Sequence, residues 1–360
     1  MKITDIKTTI VSIPFSKPLA VSTFNLESRD VVIVEVTTDQ GVTGIGYMMT
    51  LGRGIRTLKS VIDNELKDLV IGEDPFYRQK IWEKLWWQLN FFGRKGAAVY
   101  AISAIDVALW DIMGKITNLP IHSLLGPSKD KLEAYGGGGW LSLSIDEILD
   151  EVENYKKLGL KAYKMRVGLQ DWRKDVERVK AVRDAFGYDL EIMIDANQGL
   201  DVASSIILGR ELEKLGVYWF EEPVHADDIA GLAQIAETLD MRVATGETEY
   251  GRYGFKDIID RKAADIIQID IQRVGGITEW IRVANMADAW GLKVTPHLFW
   301  EISNQLTCAV PNAVYIEYMD WLDEFFEELP LIKDGFVYTW NKPGHGLVFR
   351  EDIIKKYKVN

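Results

Sequence analysis

Three short stretches decide the fold: EIMID at residues 191–195, YWFE at residues 218–221 and RVATGE at residues 242–247. Each is a short apolar run, typical of a buried strand, that ends at or just before a carboxylate. The carboxylates Asp195, Glu221 and Glu247 follow one another at intervals of 26 residues, which leaves room for one helix between successive strands. This repeat predicts parallel strands connected by helices.

Five further runs of the same kind flank these three stretches. The predicted strands cover residues 132–135, 161–167, 191–195, 218–221, 242–245, 266–270, 293–296 and 315–317, with helical segments between most of them. Eight such units fit an α/β fold of the TIM type, a parallel (β/α) barrel. A doubly wound open sheet is the alternative, but no glycine fingerprint marks its first turn.

The first 130 residues follow a different, α+β pattern. Two strands are predicted at residues 31–37 and 44–48, joined by a turn at 39–41, and helices at 54–70, 76–90 and 97–117. Gly41, Gly44 and Gly46 imitate a phosphate-binding loop, but they lie between two strands and are interpreted as turn glycines. We therefore predict an N-terminal capping domain at residues 1–130, a barrel at 131–318 and a segment at 319–360 that returns to the capping domain.

Composition excludes several classes of protein. Of 360 residues, 42 are basic and 54 acidic, and the net charge of −12 argues against nucleic acid or an anionic membrane as the main partner. The single cysteine rules out a disulfide scaffold and cysteine-ligated zinc, while four histidines make a histidine-rich metal site hard to build. The N-terminus lacks a signal-peptide core and no long apolar run spans a membrane, so a cytoplasmic location is predicted.

The carboxylates at the strand ends predict a metal site. In a (β/α) barrel, functional groups lie at the C-terminal ends of the strands, so Asp195, Glu221 and Glu247 are expected at one rim. Carboxylates held close together repel one another, and a hard divalent cation removes that repulsion. Three oxygen ligands with open positions suit Mg²⁺, with Mn²⁺ possible. The alternative interpretation is that each is an exposed acid at the end of a strand.

Two further pairs complete the predicted rim. Lys164 and Arg166 are two residues apart on a strand and share a face, so both cations are expected to point into the barrel mouth. Asp270 and His297 end consecutive strands, and a carboxylate beside an imidazole fixes its tautomer and stabilises the imidazolium. His297 is therefore the candidate general acid/base.

With Glu317 on the eighth strand, the pattern of these residues resembles that of the mandelate racemase branch of the enolase superfamily. The resemblance covers nearly the whole chain. The resemblance implies that a base removes the proton beside a substrate carboxylate and that Mg²⁺ stabilises the resulting enediolate. It also implies that Glu317 is a protonated acid sharing the enediolate, that Lys164 is a cation near the carboxylate, and that the protein forms homo-oligomers. Specificity would fall to capping loops at 16–29 and 47–56, in which Phe24, Arg53 and Arg56 are candidates to line the mouth. Asn197 is a further candidate substrate-binding residue.

One departure from the family pattern changes the predicted reaction. The second strand of the family commonly carries Lys-x-Lys, whereas Arg166 occupies the second position here, and arginine is a good clamp but a poor base. This disfavours two-base racemisation and favours a dehydratase that converts an aldonate or aldarate to a 2-keto-3-deoxy acid. The alternatives are a racemase or epimerase of a 2-hydroxy acid, a cycloisomerase, and a protein that only binds a metal and a small anionic sugar acid.

Overall fold

The computed structural model of the chain describes residues 1–359. It begins with three antiparallel strands: β1 (Ile3–Ala20), β2 (Asn25–Thr38) and β3 (Thr43–Thr50). The two strands predicted in this region are confirmed as parts of β2 and β3, and the turn between them is closed by a hydrogen bond of 3.0 Å from Gly41 N to Thr38 O. Strand β1 was not predicted, because its run of apolar residues is broken by polar pairs and by Pro14.

Helices follow the first sheet, and all of them except the last agree with the predicted segments. They are α1 (Ile55–Ser60), a π-helix (Val61–Leu66), α2 (Lys67–Val70), a 3₁₀ helix (Pro75–Tyr77), α3 (Arg78–Leu89), α4 (Ala97–Thr117) and α5 (Ile121–Leu125). By length and composition α4 could cross a membrane, but 89% of its most apolar window is buried inside the protein. It is therefore a core helix, which packs on β3 and on the barrel.

The glycines of β3 correct one of the predictions. Gly41 does occupy a turn, with φ of 75°. Gly44 and Gly46, however, lie within β3, and a Cβ on Gly46 would lie 1.8 Å from the carbonyl oxygen of Ala104 in α4. They are glycines because α4 lies directly against the strand, and no side chain fits between the two backbones.

All eight predicted barrel strands are confirmed, with shifts of a few residues at their ends. They are β4 (Lys131–Gly138), β5 (Ala162–Arg166), β6 (Glu191–Asp195), β7 (Val217–Glu221), β8 (Arg242–Thr245), β9 (Ile266–Asp270), β10 (Lys293–His297) and β11 (Ile316–Tyr318). Neighbouring strands pair in parallel from β4 to β10, and β11 pairs with β4. Val294 of β10 completes the ring through backbone hydrogen bonds of 3.1 Å to Asn312 and Val314.

Helices connect the barrel strands and cover their outer faces. They are α6 (Ile145–Lys157), α7 (Trp172–Phe186), α8 (Val202–Glu213), α9 (Ile229–Thr238), α10 (Gly251–Asp260), α11 (Ile271–Val274), α12 (Ile277–Ala289) and α13 (Trp300–Thr307). Several begin at residues whose side chains accept a backbone N–H, such as Ser144 with its capping box and Asp201. Alternation along β5 sends Tyr163 and Met165 to the helical layer and Ala162 into the barrel.

The end of the chain returns to the first sheet. A 3₁₀ helix (Asp320–Phe325) is followed by β12 (Ile332–Lys333), β13 (Phe336–Tyr338), α14 (Glu351–Tyr357) and β14 (Lys358–Val359). Strand β13 pairs antiparallel with the start of β4, and β14 pairs with β1. The C-terminal segment therefore connects barrel and capping sheet, as expected, while the exact boundaries at residues 130 and 318 stay predictions.

A buried acid joins the capping sheet to the barrel. Tyr47 of β3 donates its hydroxyl to Oε1 of Glu301 in α13, and both residues are buried. The Oε2 atom of Glu301 has no hydrogen-bond partner among the described residues. Burial raises the pKa of Glu301 from 4.5 to about 7, since the charged form would leave that oxygen unsolvated.

This shift predicts how the stability depends on pH. Because the folded pKa of Glu301 lies above its unfolded value, the contribution to stability is complete below pH 4.5 and is lost as the pH rises through 7. Glu301→Gln keeps the bond from Tyr47 without the charge. The unfolding free energy of Glu301→Gln, measured by urea denaturation, should rise relative to that of the wild type by roughly 2 to 3 kcal/mol between pH 5 and pH 8. Glu237→Gln, at an exposed position of α9, is the matched control and should follow the wild type. If the unfolding free energies of Glu301→Gln and the wild type changed in parallel with pH, they would contradict an ionisation at this position.

Candidate active site

The register of the barrel strands brings the predicted groups to one rim. Arg166 is paired directly with Asp195 across β5 and β6, and Asp195 is paired with Glu221 across β6 and β7. On the far side of the barrel, Asp270 and His297 are paired across β9 and β10. Residues in register on parallel strands have side chains on the same face, so these groups share the barrel mouth.

The three predicted metal ligands form a compact buried cluster. One carboxylate oxygen from each of Asp195, Glu221 and Glu247 lies within 4.8 Å of the others, and all three residues are buried. Burial raises the pKa of Asp195 and Glu221 above the usual range of a carboxyl group. A divalent cation removes this penalty, and three oxygen donors fit Mg²⁺ by number and chemical type.

Asn197 and Trp219 hold two of these carboxylates in place. Asn197 donates to Asp195 through its backbone N–H at 2.7 Å and its amide nitrogen at 3.0 Å. The indole of Trp219 donates to Glu221 Oε2 at 3.2 Å. These bonds occupy part of the oxygen lone pairs and fix the carboxylate orientation, as is usual around metal ligands.

Lys164 lies beneath the rim and not at its surface. Its Nζ is 2.6 Å from Glu221 Oε1 and 2.8 Å from Glu317 Oε1, and the side chain is fully buried. Burial lowers the pKa of Lys164, but the attraction of the two carboxylates is larger, and the net pKa is raised. Lys164 therefore remains a cation that neutralises part of the buried negative charge.

Arg166 lies closer to the opening of the barrel. Its Nη1 is 3.5 Å from Asp195 Oδ2, and its guanidinium lies 4.7 Å from the ring centre of Trp140. Its Nε and Nη1 are buried without a hydrogen-bond partner among the described residues. Burial lowers the pKa of Arg166, but the attraction of Asp195 and the other rim carboxylates is larger and raises the net pKa, so the group stays charged. It is suited to clamping an anion.

The Asp270–His297 pair has the geometry of an oriented acid/base group. Asp270 Oδ1 accepts the backbone N–H groups of Gln272 and Arg273, each at 2.8 Å. Asp270 Oδ2 lies 2.6 Å from His297 Nδ1. Since the carboxylate is an acceptor, the network assigns the Nδ1 proton to His297 and leaves Nε2 for proton transfer.

The electrostatic surroundings of His297 favour its charged form. Burial lowers the pKa of His297, but Glu247, whose Oε2 lies 3.4 Å from Nε2, and Asp270 raise it, and the net pKa lies above the usual value. Burial likewise raises the pKa of Glu247, yet His297, Lys164 and Arg273 together bring it down to about 2. The two carboxylates thus stabilise the charged form, which makes the neutral imidazole a stronger base than an ordinary histidine.

Glu317 differs from the expectation that the resemblance implied. Its Oε2 accepts the backbone N–H of Leu298 at 2.8 Å. Burial raises its pKa, but the positive charges of Lys164, His297 and Arg166 outweigh burial and place the pKa below its usual range. The arrangement favours an ionised Glu317 that positions Lys164, and not the neutral acid that was expected.

A cavity of about 230 Å³ opens onto these groups from the capping domain. Of the predicted residues, Arg166, Glu247, His297, Asn197 and Phe24 line it. Arg53 is exposed and does not line it, so its predicted role in binding has no support from its position. The expected capping loops contribute further lining residues, among them Thr50 of the loop at 47–56. Lining residues that the sequence did not predict are Tyr100, Trp140, Gln272, Arg273, Leu298 and Trp321. A strand-end search could have found Trp140, two residues after β4, and Gln272 and Arg273, two and three residues after β9.

A larger cleft of about 920 Å³ lies between β1 and α6. Its lining includes none of the three carboxylates of the metal cluster, and neither Asp270 nor His297. The chemistry therefore belongs to the smaller cavity, whose lining combines the general acid/base with part of the metal cluster.

Comparison with known proteins agrees with this geometry. Residues 3–126 match the family described as Mandelate racemase / muconate lactonizing enzyme, N-terminal domain, and residues 147–353 match Enolase C-terminal domain-like. Arabinonate dehydratase of Saccharolobus solfataricus is 35% identical over 350 residues, which cover 94% of each chain.

Two solved structures have closely similar folds. A racemase from Streptomyces coelicolor A3(2) with bound magnesium superimposes with a TM-score of 0.97 at 30% identity, over 99% of this chain and all of that one. The L-talarate/galactarate dehydratase from Salmonella typhimurium LT2, liganded with Mg and L-lyxarohydroxamate, gives a TM-score of 0.93 at 32% identity, over 100% of this chain and 93% of that one. The chain belongs to the mandelate racemase/muconate lactonizing enzyme family of the enolase superfamily.

Proposed function

We propose that this protein is a Mg²⁺-dependent dehydratase that converts a sugar acid to a 2-keto-3-deoxy acid. The observation that carries the proposal is the Asp270–His297 pair, whose imidazole lines the same cavity as Glu247, together with the arginine at position 166 of the second barrel strand. Relatives named arabinonate dehydratase and L-talarate/galactarate dehydratase support the same class of reaction.

Asp195, Glu221 and Glu247 would hold the metal ion, and the related structures with magnesium support this choice. When bound, Mg²⁺ stabilises the negative charge that develops on the substrate carboxylate. Arg166, with two buried nitrogens that have no hydrogen-bond partner within residues 1–359, would clamp the same end of the substrate. Lys164 remains protonated below the rim and adds to the positive potential there.

His297 would carry out both proton transfers. Its Nε2 removes the proton from the carbon beside the carboxylate, and the imidazolium then returns this proton to the hydroxyl leaving the next carbon. Water departs, and the enol that remains tautomerises to the 2-keto acid, so atoms and charge balance. Asp270 stabilises the imidazolium between the two transfers.

Racemisation and cycloisomerisation are the alternatives, and Arg166 distinguishes the first of them. Two-base racemisation needs a second proton acceptor on another side of the substrate. Arg166, on the second strand, stays charged beside Asp195 and does not serve as one. Cycloisomerases also occur among the relatives, for example a D-galactarolactone cycloisomerase of Agrobacterium fabrum.

Incubation with Mg²⁺ and a panel of sugar acids tests the proposal. Formation of 2-keto acids, detected with semicarbazide, is the expected result for at least one substrate. The same reactions in D₂O separate the alternatives, because a racemase returns labelled substrate of inverted configuration. Inverted substrate without any 2-keto acid would overturn dehydration in favour of racemisation.

Replacement of His297 tests the proton-transfer role. His297→Asn should lower kcat by about 10³-fold, since general acid–base catalysis contributes about 10² to 10⁴. The affinity for Mg²⁺, measured by calorimetry, should change little. His225→Asn is a matched control, because His225 is exposed and outside the cavity. Activity of His297→Asn within tenfold of the wild type would refute the assignment.

The effect of Mg²⁺ on the melting temperature tests whether the carboxylate cluster binds the metal. Mg²⁺ at 100 times its dissociation constant increases the unfolding free energy by about 2.7 kcal/mol, so the melting temperature should rise by a few degrees. Asp195→Asn should lose this rise, whereas Asp240→Asn, on an exposed turn, should keep it. An unchanged metal response in Asp195→Asn would place the ion elsewhere.

A further inference from the structure

The cavity has two chemically different sides. The barrel supplies the reacting groups, including Arg166, Glu247 and His297. The capping domain supplies a wall of apolar side chains, which we call the apolar wall: Val21, Phe24, Leu26, Met49 and Leu51. A substrate whose carboxylate end lies at the rim must therefore place its other end against this wall.

Direct hydrogen bonds hold the apolar wall against the barrel. Ser22, between β1 and β2, donates its hydroxyl to the carbonyl oxygen of Ala196 at 2.5 Å. At the end of β3, the backbone N–H of Met49 donates to Gln272 Oε1 at 2.9 Å. Both ends of the wall are thus anchored to loops at the barrel rim, and its side chains are positioned before substrate binds.

The cations that line the cavity lie on the reacting side. Within residues 1–359 they are Arg166 and Arg273. Arg273 donates from Nε to the hydroxyl of Tyr100 at 2.8 Å and from Nη1 to the carbonyl oxygen of Glu247 at 2.9 Å, so it lies beside a metal ligand. The apolar wall therefore offers no positive charge, within the described residues, to a second carboxylate.

One polar atom does interrupt the wall. Thr50 lines the cavity between Met49 and Leu51, and its Oγ1 is buried without a hydrogen-bond partner among the described residues. A buried hydroxyl without a partner is unfavourable, so the site gains when a ligand supplies one. A sugar hydroxyl matches this group in size and hydrogen-bonding capacity.

We infer that the cavity selects aldonates, which carry one carboxylate, and rejects aldarates, which carry one at each end. This inference rests on the proposed function. An ionised carboxylate placed against an apolar surface without a cation loses its hydration and gains nothing in return. A hydroxyl loses much less hydration free energy and can form a hydrogen bond with Thr50. The volume of about 230 Å³ fits a small substrate, below the range of about 300 to 1,000 Å³ that is typical of larger ligands.

Membership of the family does not decide between aldonates and aldarates. The relatives include an arabinonate dehydratase, named for a monocarboxylate, and an L-talarate/galactarate dehydratase, named for dicarboxylates. The selection in this chain is therefore a property of its own wall residues.

Matched pairs of substrates test the inference. Aldonates and aldarates of the same configuration are compared with Mg²⁺-loaded enzyme, and kcat/KM should favour the aldonate by at least about 100-fold, the scale set by burying an unpaired charge. Binding gives an independent readout: calorimetry with His297→Asn should detect the aldonate and show at least about 10-fold weaker affinity for its aldarate. Equal or better turnover of aldarates would overturn the inference and leave the dehydratase proposal intact. Absence of turnover with every sugar acid would instead overturn the proposed function.

A charge placed on the wall provides a second test. Phe24→Arg puts a cation at the exposed edge of the wall and should raise kcat/KM for aldarates by about 10-fold relative to aldonates. Phe91→Arg makes the same change at a fully exposed position outside the cavity and should leave the ratio unchanged. An identical ratio in both variants would argue against the wall as the source of selectivity.

Loss of the Thr50 hydroxyl gives the third test. Thr50→Val keeps the shape of the side chain and should raise KM for aldonates by about 3- to 10-fold, with kcat nearly unchanged. A shortened aldonate that lacks the distal hydroxyl should not respond to this substitution. An equal loss for both substrates would show that Thr50 acts on the structure and not on the ligand.

Discussion

The buried ion cluster around Lys164 is the constraint on which the rest of the structure depends. A single ammonium group lies between Glu221 and Glu317, with Asp195 nearby, and none of the four side chains is appreciably exposed to solvent. Buried charges are tolerated only when each has a partner and its remaining hydrogen-bonding positions are filled. Trp219, Asn197 and the Leu298 amide fill several of those positions, which explains why side chains from so many strands converge here.

The capping domain completes this environment by covering the barrel mouth. Tyr47, Ser22 and Met49 each bond to a different barrel segment, and α4 packs between the first sheet and the barrel. The low exposure of the rim groups therefore depends on both parts of the chain. It also depends on Gly44 and Gly46, because any side chain there would push α4 away from the sheet.

The barrel and its reacting groups were predictable because both follow from local pattern. A strand of five residues that ends in a carboxylate is visible in the sequence, and the strand-end rule then places Asp195, Glu221 and Glu247 together. Contacts between distant segments leave no such pattern. Tyr100 of α4 reaches the cavity through packing of the capping domain on the barrel, whereas Arg53, in the capping loop predicted at 47–56, lies outside it. The charge of Glu317 likewise depends on three cations that meet only in the folded chain.

Under the proposed function, separate segments of the chain would carry the reaction and the choice of substrate. The apolar wall belongs to the first sheet, around the turn from β1 to β2 and at the end of β3, whereas the groups proposed for proton transfer belong to the barrel strands. Val21 and Leu51 line the cavity on elements that do not contain Asp270 or His297. Such a division would let changes in a few wall residues open the cavity to new substrates while the costly buried charges stay as they are.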